Sequence, residues 1–389
     1  MTKQLSEPLF STQETLLTDA LDWSREGIKY AGSKQKLLTP IFEAVKGISR
    51  ESVLDLFSGT TRVSRLFAGT GSTVTSNDLS EWSECFATSY LKNQRQAAEY
   101  QELIDHLNAL EPVEGWFTEN YGGVDVDGSA VQCDGKKALW QRHNAMKLDA
   151  IRTEIDALDL SDIERAVALT SLIYAMDQVE NTIGHYVSYL KMWSPRSYNH
   201  MKLRVPNLRP QHMAHAVYRE DADSLVDCFL ENGQEFDLAY LDPPYGSNNE
   251  KMSPSRVRYA SYYHIWKTVI LNDQPEIFGA ARRREDSRDE VSASSFEEYR
   301  RDENGSSLAL KALHSLIAKT PARYLLLSYS SGGRATYTEL LEVLSGAGEL
   351  VASIQMEYKK NVMANMTWTN EWTPPNDTPN VEYLFLIRK

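Results

Sequence analysis

The sequence predicts a doubly wound α/β fold, a mostly parallel sheet interrupted by a helical insertion, and two stretches carry that prediction. Residues 52–57 are a short apolar and β-branched run that passes through Ser58-Gly59-Thr60-Thr61 into a helix-like stretch from Arg62 to Phe67, the pattern of strand, tight turn and helix. Residues 236–241 are a second apolar run, and it ends in Asp242-Pro243-Pro244-Tyr245. There two rings fix φ and remove backbone donors between a carboxylate and an aromatic plate. In open α/β sheets ligands sit outside the carboxyl ends of the strands, so both turns are candidate site elements.

The remaining elements follow in order along the chain. Residues 1–27 read as an N-terminal arm. Residues 28–92 hold the first part of the sheet, with an amphipathic helix over 37–48 behind the polar loop Lys29 to Lys34, a strand over 72–77 and a helix over 80–91. Residues 93–213 read as a mostly helical region, with apolar residues at three and four spacing over 94–110, 138–159 and 162–179. A Gly and Asp rich loop over 122–135 breaks it. Its Asp125-Val126-Asp127-Gly128 falls short of a calcium loop, because position twelve is Lys136 and not Glu. Residues 214–389 return to the sheet at 216–218, 236–241, 324–329, 350–358 and 381–387. A charged stretch over 246–304, with Arg282-Arg283-Arg284, reads as a surface excursion, a closing lid being the sharper alternative.

The chemistry these turns suit can be read from residue types. Asp242 can accept one N–H of an exocyclic amine on a planar base, the Pro243 carbonyl can accept the other, and Tyr245 can stack on the ring. That set suits methyl transfer to the amine. Pro-Pro after an acid also marks plain turns. The turn at Gly59 admits close approach of a ligand to the backbone, and Asp78 follows about 20 residues later, the spacing at which such folds meet ribose hydroxyls. Asp78 also suits a helix N-cap, and the two roles are compatible. Asp221, among Glu220 and Asp223, reads equally as a ligand contact or a solvated acidic loop.

Composition bounds the reading. A chain of 389 residues has length for a sizeable core, and three cysteines, Cys85, Cys133 and Cys228, lie too far apart for a zinc or disulfide framework. No metal is expected, and without an apolar run of spanning length no membrane association; a cytoplasmic protein is the expectation. The net charge of −13 disfavours nonspecific attraction to a polyanion. Residues 185–219, however, contain no Asp or Glu and carry Lys191, Arg196, Lys202, Arg204, Arg209 and Arg219 among Tyr186, Tyr189, Trp193 and Tyr198. Such a strap suits phosphate contact and base reading by Arg196, Lys202, Arg204 and Arg209, or plain packing on an acidic body.

Taken together, Lys29-Tyr30-Ala31-Gly32-Ser33-Lys34, Asp55-Leu56-Phe57-Ser58-Gly59, Asn77-Asp78, Asp221-Ala222 and Asp242-Pro243-Pro244-Tyr245 stand in an order that resembles the Dam-type adenine-specific DNA methyltransferases, close to the methylases of restriction-modification systems. The resemblance runs nearly the whole length and implies a methyltransferase sheet with a final antiparallel strand near 381–387. It implies S-adenosylmethionine as cofactor, held by Tyr30, Lys34, Phe57, Gly59, Asp78, Asp221 and Asp242. Asp242, Pro243 and Tyr245 would face a target adenine flipped out of duplex DNA. Residues 93–213 would be the target-recognition region, and a cognate restriction endonuclease would be a possible partner. Thr61 stands where family members often have a second glycine. An RNA adenine methyltransferase, a nicotinamide dehydrogenase and a non-catalytic DNA-binding protein with a methylase core are the alternatives; no full G-x-G-x-x-G favours the dehydrogenase.

Overall fold

The computed structural model describes residues 10–246, 259–288, 294–298, 300–358 and 380–389. Seven strands form the central sheet: β1 Ser52–Asp55, β2 Thr73–Asn77, β3 Ala216–Tyr218, β4 Phe236–Leu241, β5 Ala322–Ser330, β6 Glu349–Tyr358 and β7 Asn380–Arg388. Their spatial order is β6-β7-β5-β4-β1-β2-β3. The pairs β1 with β2, β1 with β4, β2 with β3 and β4 with β5 are parallel, while β7 runs antiparallel between β5 and β6. Strand order therefore reverses between β1 and β4. The carboxyl ends of those two strands diverge into the two turns singled out above, leaving a crevice between them.

Side-chain alternation along the strands separates two cores, since successive residues of a strand point to opposite faces. Leu238 and Tyr240 of β4 join Val53, Val74, Leu326 and Leu384 on one face, whereas Ala239 and Leu241 join Leu54, Leu325, Leu327 and Phe385 on the other. The first face is covered by α1 Phe10–Arg25, α2 Leu38–Val45, α3 Arg62–Gly69 and α4 Glu81–Leu91, and by the insertion helices α5 Gln101–Ala109, α6 Trp116–Tyr121, α7 Arg142–Ala157 and α8 Asp162–Val179. The second is covered by α9 Ala222–Glu231, and, after α10 Tyr259–Tyr262 and α11 His264–Leu271, by α12 Leu308–Lys319 and α13 Tyr337–Ser345. Helix α8 starts where a capping box predicts: the Glu164 N–H donates to Ser161 Oγ while the Ser161 N–H donates to Glu164 Oε2.

Four expectations change. The N-terminal arm is, over its described part, helix α1, with Ala20 and Trp23 fully buried against α3. Two arginines fasten it: Arg62 donates to the Arg25 and Ser24 carbonyls, and Arg65 donates to those of Trp23 and Glu26, so the orphan carbonyls at the end of α1 are satisfied by side chains of α3. The helix expected over 138–159 begins only at Arg142, because Trp140–Gln141 pairs as a short strand with Gly122–Gly123. Similarly, the helix expected over 94–110 starts at Gln101, after a single tighter turn over Ala97–Tyr100. The charged excursion is no surface loop over its described part. Tyr263 and Trp266 of α10–α11 are buried in the first core, and Arg284 forms ion pairs with Asp273 and Asp286 at 2.6 and 2.9 Å. The rest of the excursion, including 247–258 and 289–293, lies outside the described residues.

The basic strap divides into two kinds of residue. Tyr186, Tyr189 and Trp193 are buried, and the Tyr186 hydroxyl accepts from Trp266 Nε1 at 2.9 Å, so these rings belong to the core and not to a reading face. Arg196 is spent on buried partners: its guanidinium lies 3.1 Å from Glu180 Oε1 and donates to the carbonyls of Asp177 and Thr182. Further along, Met201 and Leu203 turn inward while Lys202 and Arg204 alternate outward into solvent. The backbone there is pinned by Asn144 Oδ1 on the Met201 N–H and by Asn108 Oδ1 on the Leu203 N–H. Arg209 lies half-buried, its guanidinium 5.6 Å from the ring centre of Trp23.

Burial, with Asp177 beside it and Arg196 pulling the other way, pushes the Glu180 carboxyl up to about 7. The folded state therefore favours the protonated form, and Glu180 weakens stability as pH rises from its unfolded value through about 7. Without Arg196 the folded value climbs further. Arg196→Gln is expected to destabilise the protein by about 2 kcal/mol, with a deficit larger near pH 8.5 than near pH 6. Thermal melts at both pH values check this, and an unchanged melt would release Arg196 for a contact outside the chain.

Candidate active site

The crevice at the strand reversal is a cavity of about 760 Å³, and Tyr30, Lys34, Phe57, Gly59, Asp78, Asp221 and Asp242 all line it. Each reaches it for a local reason. After β1 the chain turns through Ser58 to Thr61 into α3, with φ of 48° at Gly59 and 61° at Thr61. The Gly59 conformation suits glycine, and its missing Cβ matters too, since one built there would lie 3.2 Å from the ring of Tyr30. Thr61 holds a left-handed conformation without being glycine.

The turn is tied to the end of β2. Asp78 accepts the Gly59 N–H on Oδ2 at 2.8 Å and the Ser80 N–H on Oδ1 at 2.9 Å, so it braces the glycine turn and the start of α4 at once. Burial raises the pKa of this carboxyl above its ordinary value, with these N–H donors opposing the shift. Asn77 completes the floor: its side-chain amide donates to the carbonyls of Leu56 and Glu220, and its oxygen accepts the Glu220 N–H. Asp221 serves as N-cap of α9, accepting the N–H groups of Asp223 and Ser224 at 3.1 Å, while also lining the cavity. Phe57 meets Phe296 edge to face at 5.4 Å.

Tyr30 forms one wall. Its ring stacks on Tyr263 at 4.9 Å and on Tyr259 at 5.4 Å, and Tyr263 stacks in turn on Trp266 at 4.2 Å. The Tyr263 hydroxyl accepts the Ala31 N–H at 2.6 Å, so α10–α11 and the loop before α2 are held as one aromatic wall.

At the end of β4 four side chains converge. The Lys34 ammonium lies 2.9 Å from Asp242 Oδ1, 3.1 Å from Glu382 Oε1 and 2.6 Å from the Tyr245 hydroxyl. That hydroxyl also reaches Asp242 Oδ1 in a short hydrogen bond and Glu382 Oε1 at 3.1 Å. Lys34 is only 7% exposed. Burial by itself would lower its pKa, but Asp242 and Glu382 hold it above the ordinary lysine value. Asp242 is pushed up to about 6, by burial first, against the pull of Lys34 and with Glu382 adding to the rise. Both contacts to Asp242 fall on Oδ1, and among the described residues no hydrogen bond engages Oδ2.

The expected role of Tyr245 as a stacking plate does not fit this arrangement. Its ring packs on Tyr329 at 4.8 Å, its hydroxyl is taken by the cluster, and it is not among the residues lining the cavity. The aromatic residues that line the cavity are instead Tyr30, Tyr259, Phe57, Trp82, Tyr240 and Phe296. Pro243 borders a small apolar space with Phe296, Leu313 and Tyr329. Arg196, Lys202, Arg204 and Arg209 do not line the cavity. Sequence reasoning missed Glu382, although a lone acid inside the final apolar run is itself a signal. It also missed the rim pairs of Lys267 with Glu81 at 3.4 Å and with Asp286 at 3.1 Å, for which no local pattern exists. Among the described residues no group of His, Cys, Asp and Glu is placed to hold a metal ion, and no helix is long and apolar enough to cross a membrane.

Comparison with known proteins gives relatives along most of the chain. It is 27% identical over 376 residues to the Type II methyltransferase M.FokI of Planomicrobium okeanokoites, covering 93% of this chain and 53% of that protein. To the modification methylase StsI of Streptococcus sanguinis it is 28% identical over 361 residues, covering 88% and 50%. To the Type II methyltransferase M.NlaIII of Neisseria lactamica it is 24% identical over 371 residues, covering 93% and 99%. The chain thus spans about half the length of the first two relatives and nearly all of the third. The family model of the D12 class N6 adenine-specific DNA methyltransferases matches residues 30–330, from the first ring of the cavity wall to the end of β5, and the chain belongs to that family.

Proposed function

We propose that this protein transfers a methyl group from S-adenosylmethionine to N6 of an adenine flipped out of duplex DNA, at a specific site and within a restriction-modification system. The observation that carries the reading is the convergence of Asp242, whose Oδ2 no described residue engages, and the Gly59–Asp78 turn on one cavity at the strand reversal. Family membership and relatives named as a Type II methyltransferase and a modification methylase support the substrate class.

The residues present fit such a cofactor. The glycine turn leaves the space a Cβ would fill beside Tyr30, and a volume of about 760 Å³ lies within the range of ligand pockets. Gly59 and Phe57 would border its methionine end, Asp78 its ribose, and Asp221 its base, with Tyr30 and Lys34 alongside. S-adenosylmethionine, when bound, supplies a methyl carbon already activated by its sulfonium. What remains for the chain is to place the amine and to stabilise its developing charge. Asp242 Oδ2 accepts one amine N–H, the Pro243 carbonyl is the second acceptor, and the rings of Tyr30 and Tyr259 offer the apolar faces for the extruded base. Lys202 and Arg204, two exposed cations of the strap, are the candidates for phosphate contact. A restriction endonuclease of the same specificity would be the partner of this activity.

Three outcomes test this reading. Asp242→Ala should abolish adenine methylation of duplex DNA while the cofactor dissociation constant stays within about tenfold, and in the unaltered protein kcat/KM should fall as pH drops through about 6, where Asp242 takes up a proton. Turnover within a factor of a few of the unaltered rate would remove Asp242 from the mechanism. Asp78→Ala should weaken cofactor binding by about 1 to 3 kcal/mol in calorimetry, through the lost ribose contact and the loosened glycine turn. For Lys202→Gln or Arg204→Gln, a phosphate contact predicts weaker binding to every DNA sequence and a salt slope lower by about one. Unchanged affinity and slope in both would place DNA on another face.

A further inference from the structure

Glu382 is buried without lining the cavity, and its surroundings are out of proportion to a role in packing. It sits near the start of β7, a strand whose neighbouring residues Leu384, Phe385, Leu386 and Ile387 are all buried. Three donors meet on its Oε1: Lys34 Nζ at 3.1 Å, the Tyr245 hydroxyl at 3.1 Å and the Ser328 hydroxyl at 3.0 Å. Lys34 and Asp242 alone would make a neutral pair. Adding Glu382 leaves one ammonium facing two carboxylates, and burying that excess charge costs stability that a well-packed apolar residue would not.

We propose that Glu382 is a positioning residue for methyl transfer: it fixes Lys34 and Tyr245 on the far side of Asp242, and its charge makes Asp242 a better proton acceptor. This rests on the function proposed above. The amine nitrogen would become cationic as it bonds to the methyl carbon, while the carbon–sulfur bond breaks and its electron pair leaves with sulfur as a neutral thioether; the nitrogen returns to neutrality when an N–H bond breaks and the proton passes to Asp242 Oδ2. A cluster of net negative charge stabilises the cationic nitrogen before that transfer and the proton after it. The Tyr245 hydroxyl has one proton and two carboxylate oxygens within reach, so it can turn from Asp242 to Glu382 as Asp242 becomes protonated. Besides Lys34, Tyr245 and Glu382, the groups facing Asp242 are Asp55, Tyr240, Tyr30 and Tyr259, and those facing Glu382 are Lys34, Asp242, Tyr245 and Tyr240. Burial pushes the Asp55 carboxyl up to about 7, and Ser64 donates to it at 2.6 Å, so around pH 6 it is largely protonated and the changing charge is that of Asp242.

The test uses the full chain with Glu382→Gln and Glu382→Asp, and reads two quantities. Carbon-13 NMR of the Asp242 carboxyl gives its titration midpoint without any need for turnover. It should fall by about half a unit to one unit in Glu382→Gln, where the neighbouring charge is lost, and stay near the unaltered value in Glu382→Asp. Methylation of duplex DNA at saturating substrates should show kcat lowered about tenfold or more in Glu382→Gln, with the acid limb displaced downward and the cofactor dissociation constant within about threefold; Glu382→Asp should recover part of the rate. An unchanged midpoint overturns the proposal, and so does a shifted midpoint with unchanged kcat, which leaves Glu382 a structural residue. If the unaltered protein methylates adenine in no DNA, the functional reading fails and takes the catalytic part with it, while the titration still reports on the charge coupling. Should Glu382→Gln not fold, the kcat of Glu382→Asp decides: a rate equal to the unaltered one overturns it.

Discussion

The buried ammonium of Lys34 is the constraint around which the site is assembled. A lysine that is taken out of water retains its charge only if anions accompany it, and here Asp242 and Glu382 do so within about 3 Å. These three residues come from the loop before α2, from the end of β4 and from the last strand. Satisfying one charge therefore fixes three distant segments of the chain together, and the fold has little freedom to displace any of them without leaving a buried charge unpaired.

The same logic extends outward from the cluster. The loop that carries Lys34 is anchored through the Ala31 N–H to Tyr263 and through the stacking of Tyr30, so the position of the ammonium depends on α10–α11. On its other side, α1 is fastened to α3 by Arg62 and Arg65, which sit directly after the glycine turn. Asp78 links that turn to β2, and Asn77 links β2 to the segment after β3. The crevice is thus bounded by groups whose polar atoms are largely committed to one another, and Asp242 Oδ2, which no described residue engages, stands out against that background.

The insertion between β2 and β3 is less separate than its helical pattern suggests. Helices α7 and α8 share the first core with the sheet, and buried Arg152 of α7 donates to the carbonyls of Val269 and Ile270 beside the aromatic wall. A region expected to read DNA is in this way packed against the elements that shape the cavity. The strap follows the same rule: Tyr186, Tyr189, Trp193 and Arg196 serve this packing, while Lys191, Lys202 and Arg204 remain exposed cations.

What the sequence by itself determined was the sheet, the position of the two turns that border the crevice and seven of the residues that line it. Those features rest on local signals: apolar runs of strand length, a glycine that needs positive φ, two prolines that end a strand, and an acid at a set distance. What only the tertiary structure decided was the company each polar group keeps. Glu382 lies 137 residues from Tyr245 in sequence, Arg196 pairs with an acid across a turn of the insertion, and Tyr245 gives its hydroxyl to the charge cluster instead of offering its ring. Charge compensation in a buried site is a matter of distances over a few ångströms between segments far apart in the chain, and no periodicity encodes it. For the same reason the arm at the N-terminus became helix α1: its Trp23 and Ala20 acquire a reason to be apolar only once α3 is beside them.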